Sequence, residues 1–187
     1  MSGVVALIPA RSQSKRIPDK NIYSLKVHPL IAYSIASALE SKLFDRIIVS
    51  TESKRYAEIA KYYGAEVIMR PEEFASDTSP DIEWVKYTLE RVKCDSFSIL
   101  RPTSPFRTAN TIKRVWDLFN ESPICDSIRA VEMCSQHPGK MWVIEGRFIK
   151  PLLQKGLHNL PYQSLPSVYI QNASLEIAWT DVVFISK

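Results

Sequence analysis

Residues Val4-Val5-Ala6-Leu7-Ile8 form an unbroken apolar run, and directly behind it the chain turns polar and basic through Ala10-Arg11-Ser12-Gln13-Ser14-Lys15-Arg16 to Lys20-Asn21. A strand with one face in water alternates apolar and polar residues, whereas a continuous apolar run suits a strand covered on both faces. The run therefore reads as a central strand of an open, mainly parallel α/β sheet. Such sheets bind ligands beyond the carboxyl ends of their strands, which is where the basic segment lies. Arg11 offers a planar fork of donors to phosphate oxygens, and Lys15 and Lys20 act as compact point charges. The small residues Ala10, Ser12 and Ser14 let backbone N–H groups approach an anion closely. The segment reads as a phosphate-binding loop. No glycine stands between Gly3 and Gly64, which excludes a Walker A loop and a G-x-G-x-x-G fingerprint from this first βα unit.

The remaining pattern alternates helices with short strands. Leu30, Ile31, Ser34, Ile35, Ala38 and Leu39 recur at helical spacing, and Arg46 to Ser50 reads as a second buried strand. Tyr56 to Tyr63 predicts a helix stopped at Gly64, followed by a strand over Ala65 to Met69. Ser79-Pro80-Asp81 predicts a helix start with Ser79 as cap and Asp81 and Glu83 in the first turn, turning Ile82, Val85, Leu89 and Val92 to the core. Phe97 to Leu100 forms a fourth strand, whose loop Arg101 to Pro105 emerges at the same sheet edge as the basic loop. Thr108 caps a helix with the apolar stripe Ile112, Val115, Trp116 and Phe119. Beyond Asn120, strands are expected over Ser127 to Val131, Met141 to Ile144 and Val168 to Ile177, with a hairpin turn at Glu145-Gly146.

At 187 residues, 45% hydrophobic and 24% charged, the chain can bury one sizeable core and is most simply a single domain. Its net charge of +4 comes from cations interspersed with carboxylates. That fits a small anionic substrate and argues against a nucleic-acid footprint. Cys94, Cys125 and Cys134 lack C-x-x-C spacing and read as reduced, buried thiols. Neither a signal peptide nor an apolar run of membrane-spanning length is present, so a cytoplasmic protein without membrane association is expected.

Three ordered segments carry a family resemblance. Pro9-Ala10-Arg11-x-x-Ser14-Lys15-x-Ile17-Pro18-x-Lys20-Asn21, Arg70-Pro71 through Ala75, Asp77 and Thr78, and Leu100-Arg101-Pro102-Thr103-Ser104-Pro105-x-Arg107 resemble the motifs of the acylneuraminate cytidylyltransferase family, which makes CMP-activated nonulosonic acids such as CMP-sialic acid. The resemblance covers residues 4 to 107 and is weaker beyond residue 130. It implies a Rossmann-like fold of the nucleotide-diphospho-sugar transferase type, spanning residues 1–187 as one nucleotidyltransferase domain. Residues 133–170 would be an insert serving homodimerisation and the sugar site.

The implied substrates are CTP and a small acidic sugar, with Mg²⁺ as cofactor. Arg11 and Lys20 would hold the triphosphate as the catalytic cations, with Lys15 as a third contact and Ser14 in the same loop. Ala10, Arg11, Asn21, Arg70, Ser79 and Asp81 would surround the cytidine, Asp81 reading the cytosine amino group. Ser79 and Asp81 have a second reading as helix cap and dipole complement. Arg101, Thr103, Ser104, Gln163 and Asn172 would meet the sugar. The chain departs from the family pattern in places: Arg101 stands where Gln is usual, Tyr162 where Arg is usual, and Glu176 where an aromatic is usual. The Arg101 cation is read either as a carboxylate or phosphate ligand that compensates for Tyr162, or as a pyrophosphate contact.

The family's acidic metal-binding pair lies on a further strand and has no counterpart before Lys187. Asp77 and Asp181 each lack a neighbouring carboxylate. The metal ligands are therefore unassigned, and the sequence leaves room for a shortened member or a nucleotide-binding pseudoenzyme. A relative acting on another sugar, either of the CMP-keto-deoxyoctonate type or dependent on GTP, is the nearest competing activity.

Overall fold

The computed structural model describes residues 3–122, 124–153 and 156–185. Residues 154 and 155 of the expected insert, and 186 and 187 at the end of the sequence, lie outside that range. The chain divides into two compact units, one formed by residues 1–129 with 173–187 and the other by residues 130–172.

The first unit is built on parallel strands: β1 (Val4–Pro9), β4 (Arg46–Thr51), β5 (Glu66–Met69) and β6 (Ser96–Ile99). A short hairpin, β2 (Ser24–Leu25) with β3 (His28–Pro29), precedes helix α1 (Leu30–Ser41). Helices α2 (Lys54–Tyr62), α3 (Asp81–Leu89), α4 (Ala109–Asn120) and α5 (Asp181–Phe184) complete the unit. Strands β7 (Ser127–Met133) and β10 (Tyr169–Trp179) belong to the same sheet, whose order is β5-β4-β1-β6-β10-β7. β1 pairs in parallel with both β4 and β6, and β10 runs antiparallel to β6.

This order positions the site. From β1 the chain builds outward through β4 to β5, then returns to place β6 on the other side of β1. The loops leaving β1 and β6 diverge there, and a crevice opens at such a reversal. Val5, Ala6, Leu7 and Ile8 are at most 1% exposed, as the unbroken apolar run requires. Val5 and Leu7 join Trp84, Val85, Leu89, Val92, Phe97 and Val183 in one core cluster. Ala6 and Ile8 alternate to the opposite face, the side on which α1 packs against β1 and α4.

Local chemistry sets the element ends, and several differ from the sequence reading. Ser53 caps α2, its hydroxyl accepting from the Tyr56 N–H, so that helix begins at Lys54. Thr108 caps α4 as expected. Ser79 does not cap α3: Pro80 holds that position with extended backbone, and the Ser79 hydroxyl donates to Glu83 at 2.5 Å. Ile82 is 44% exposed, while Val85, Leu89 and Val92 are buried. Of the three thiols only Cys94 is buried; Cys125 and Cys134 are half-buried, and all three are free.

The second unit carries the hairpin of β8 (Trp142–Glu145) and β9 (Phe148–Pro151), paired Glu145 to Phe148. Its two-residue turn is Gly146-Arg147, one residue later than the sequence reading, with Gly146 at φ +63°. Tyr162, at the position where the resemblance expects arginine, is engaged inside this unit. Its hydroxyl accepts from the His137 N–H and donates to the Ser135 carbonyl.

Candidate active site

The loop after β1 is held open at both ends. Near its start, Ser12 donates both its N–H and its hydroxyl to Glu52 Oε1, at 2.6 and 2.7 Å. Near its end, Asp19 adopts left-handed backbone at φ 52°, which aspartate tolerates better than most residues. Its carboxylate accepts from the Tyr56 hydroxyl at 3.1 Å and from Arg55 at 3.3 Å. Burial and the Asp19 hydrogen bond push the Tyr56 hydroxyl above its ordinary pKa, keeping it protonated as a donor. Within the loop, the Asn21 amide donates to the Arg11 carbonyl at 2.9 Å.

A cleft of about 400 Å³ opens beside this loop. Arg11, Ser14, Lys20 and Asn21 line it from the β1 loop, Arg70, Ser79 and Asp81 from the segment after β5, and Arg101 and Thr103 from the loop after β6. Nine of the expected site residues thus share one crevice at the sheet's reversal. Of the remaining residues of the first unit, Ala10, Lys15 and Ser104 do not line it. Ala10 is fully buried, and its N–H is committed to the Ser50 carbonyl at 3.0 Å. Lys15 lines a neighbouring hollow with Ser12, Asp19 and Asp77. Ser104 closes turns through its own N–H and carbonyl, to Arg101 and Arg107. Gln163 and Asn172 belong to the second unit.

The cations fall into distinct environments. Arg11 and Lys15 share Asp77, at 3.0 and 2.7 Å, and all three side chains are about a third or more exposed. The Lys15 hydrogen bond holds the Asp77 carboxyl below its ordinary pKa. Lys20 forms no ion pair with any described residue. Arg70 is the opposite case, with its side chain 3% exposed and Glu52, 5% exposed, at 3.6 Å. Burial lowers its pKa, and Glu52 offsets that only in part. Its guanidinium lies 5.9 Å from the Trp84 ring centroid, and its Nε has no hydrogen-bond partner among the described residues. A buried cation lining a cleft with a donor to spare is placed to bind an acceptor on a ligand.

Arg101, expected as a free cation for the sugar, is already engaged. Its Nη2 contacts Asp81 at 2.5 Å and Glu176 at 3.1 Å, and Arg129 approaches Glu176 at 3.5 Å. Two of the chain's departures from the family pattern, Arg101 and Glu176, are therefore partners. Asp81 accepts from Arg101 on one oxygen and from the Trp84 indole, at 2.8 Å, on the other. Burial alone would raise the Asp81 carboxyl, but the Arg101 and Trp84 hydrogen bonds outweigh it and hold the pKa low. Arg107, buried under the same loop, donates to the Ser174 carbonyl and the Ser34 hydroxyl, and burial lowers its pKa to about 10. Phe74 and Trp84 also line the cleft and were not singled out in the sequence; Glu52, behind the lining, was missed because its partners Ser12 and Arg70 are distant along the chain.

The Mg²⁺ implied by the resemblance can be tested against the donor set. Asp77 and Asp81 are the cleft carboxylates, each engaged by cations, and no group of three His, Cys, Asp or Glu side chains gathers among the described residues. The described residues do not by themselves fit that ion.

Residues 5–138, well over half of the chain, match the family model described as cytidylyltransferase. The chain belongs to the cytidylyltransferase family. It is 44% identical over 110 residues to an N-acylneuraminate cytidylyltransferase of Escherichia coli, covering 58% of this chain but 26% of that protein. It is 36% identical over 192 residues to a CMP-N,N'-diacetyllegionaminic acid synthase of Legionella pneumophila, covering 98% of this chain and 81% of that one. Among solved structures, a CMP:2-keto-3-deoxy-manno-octonic acid synthetase superimposes with a TM-score of 0.75 at 16% identity, over 98% of this chain and 76% of that chain. That likeness establishes the fold. No helix among the described residues is long and apolar enough to cross a membrane.

Proposed function

We propose that this chain transfers a cytidylyl group from CTP to a hydroxyl of an acidic nonulosonic sugar. The observation that carries the reading is the convergence of Arg11, Lys20, Asn21 and Arg70 on one cleft, in a member of the cytidylyltransferase family. The E. coli and Legionella relatives are named for sialic and legionaminic acid respectively, which supports a sugar of that class.

In this reading Arg11 and Lys20 take the triphosphate, and Lys15 adds charge from the adjoining hollow. Asn21 and Arg70 face the nucleoside, with Asp81 at the rim. Each Asp81 oxygen keeps a lone pair beyond the bond it now accepts, so it can still receive the cytosine amino group. Thr103, which lines the cleft, would meet the sugar. The sugar oxygen attacks the α-phosphorus, the bond to the bridging oxygen of pyrophosphate breaks, and the hydroxyl proton is released to solvent. The protein's share is positioning and neutralisation of the charge that accumulates on the leaving group.

The chain is also read as a cytoplasmic homodimer. The second unit exposes Trp142, Val143, Ile144, Phe148 and Ile149 along its hairpin, a concentration of apolar surface that marks an interaction face. Gln163 and Asn172 of that unit remain the candidates for further sugar contacts.

A coupled pyrophosphate-release assay tests the reading, with CTP, Mg²⁺ and a panel of sialic, legionaminic, pseudaminic and keto-deoxyoctonic acids. Release that needs both CTP and a nonulosonic acid is the expected result. Release with GTP alone among the nucleotides, or CTP binding without release for any sugar, would contradict it.

A further inference from the structure

Glu52 stands outside every motif, directly after β4, and its side chain is 5% exposed. One carboxylate oxygen is fully used by the phosphate loop, accepting the Ser12 N–H and hydroxyl. The other faces Arg70 Nη2 at 3.6 Å and has no hydrogen bond among the described residues. A buried carboxylate is costly unless paired and hydrogen-bonded, so its retention calls for a reason. The geometry supplies one. Ser12 adjoins Arg11 at one wall of the cleft, and Arg70 forms another wall; among the described residues, Glu52 is hydrogen-bonded to Ser12 and charge-paired with Arg70.

We propose that Glu52 is a positioning residue that sets the loop after β1 and the Arg70 guanidinium at a fixed separation, so that the phosphate and nucleoside ends of one ligand are met together. The inference rests on the nucleotide reading above for its kinetic consequence, but its structural consequence stands apart from it. Held by Glu52, the Ser12 amide is hydrogen-bonded and the loop is organised before the ligand arrives, which reduces the ordering that binding must supply. Without Glu52 the loop must be ordered by the ligand itself. The loss then falls on nucleotide affinity, leaving the sugar's own KM untouched.

Glu52→Asp is the informative variant. It keeps the negative charge beside buried Arg70, but the side chain is one methylene too short to serve both partners. Ser12→Ala is the milder companion, removing only the hydroxyl bond of a half-buried loop residue and keeping its N–H bond to Glu52. The expected result is that Glu52→Asp raises the KM for CTP by about tenfold, within the range that small misplacements produce, with the KM for the sugar unchanged. Ser12→Ala should raise the same constant by a smaller factor.

A purely structural role would instead lower the active fraction and leave both KM values alone. Amide exchange gives the independent readout. In Glu52→Asp the Ser12 amide should exchange about tenfold faster, while the β1 amides of Val5 to Ile8 keep their protection. Unchanged Ser12 exchange with wild-type KM for CTP in both variants would overturn the proposal. Faster Ser12 exchange in an enzyme whose wild type neither binds CTP nor releases pyrophosphate would uphold the positioning role and overturn the nucleotide reading alone.

Discussion

The two rims of the cleft use cations in opposite ways. On the β1 side, partly exposed Arg11 and exposed Lys15 share one carboxylate, Asp77, with Arg11 also donating to the Ser76 carbonyl, while Lys20 has no ion pair among the described residues. On the β6 side, Arg101 is largely covered and bound to both Asp81 and Glu176. Exposed pairs of the first kind are weak, screened by water and easily exchanged for a better anion. Pairs of the second kind hold elements together, here the start of α3, the loop after β6 and strand β10. Positive charge alone therefore does not mark a phosphate ligand; the strength of the existing partnership does.

The comparison breaks most sharply at Arg11. Arg11→Ala should reduce kcat/KM for CTP by about 10²-fold, the usual cost of removing one charge-stabilising donor. Arg16→Ala, in the same loop but outside the cleft lining, should stay near wild type. Steady-state pyrophosphate release checks both, and equal rates for the two variants would remove the phosphate-loop assignment.

Arg101→Gln, which installs the residue usual in the family, should act on stability instead. It removes one partner from Glu176, which keeps Arg129, and from half-exposed Asp81, which keeps the Trp84 indole, so a loss of about 1 kcal/mol in denaturant unfolding is expected. The pH dependence gives the sign. Asp81 has a folded pKa below its unfolded value of about 3.9, so its contribution is complete above that pH and is lost as pH falls through the lower folded pKa. The Asp81 contribution in wild type should therefore fade below about pH 4, and Arg101→Gln, having lost most of it, should show a slightly flatter acid limb.

Asp77→Asn should have the smallest effect. It frees Arg11 and Lys15 without touching the core, so the melting temperature should hold while the KM for CTP falls a few-fold, more so at low salt. A raised KM would mean that Asp77 organises the loop and does not compete with the ligand for it.

What the sequence made legible follows from the range of the interactions. β1 and its loop were readable because an unbroken apolar run and the polarity break behind it are local signals. The α3 start was misassigned by one residue because Ser79-Pro80-Asp81 satisfies two capping patterns, and the Ser79 hydroxyl is claimed by Glu83. Arg101 was visible as an unusual cation but not as a bound one, since Glu176 lies 75 residues away. A signal did exist: Arg101 and Glu176 are opposite charges at two departures from one family pattern. Glu52 had none, because a lone acid after a strand acquires meaning only when the fold brings Ser12 and Arg70 to it.

Calorimetric titration of CTP into wild type and Arg11→Ala tests the central claim, that the loop after β1 holds the nucleotide's phosphates. Saturable binding to wild type that is lost or strongly weakened in folded Arg11→Ala is the outcome expected. Equal CTP affinity in the two proteins, or none in wild type, would contradict it.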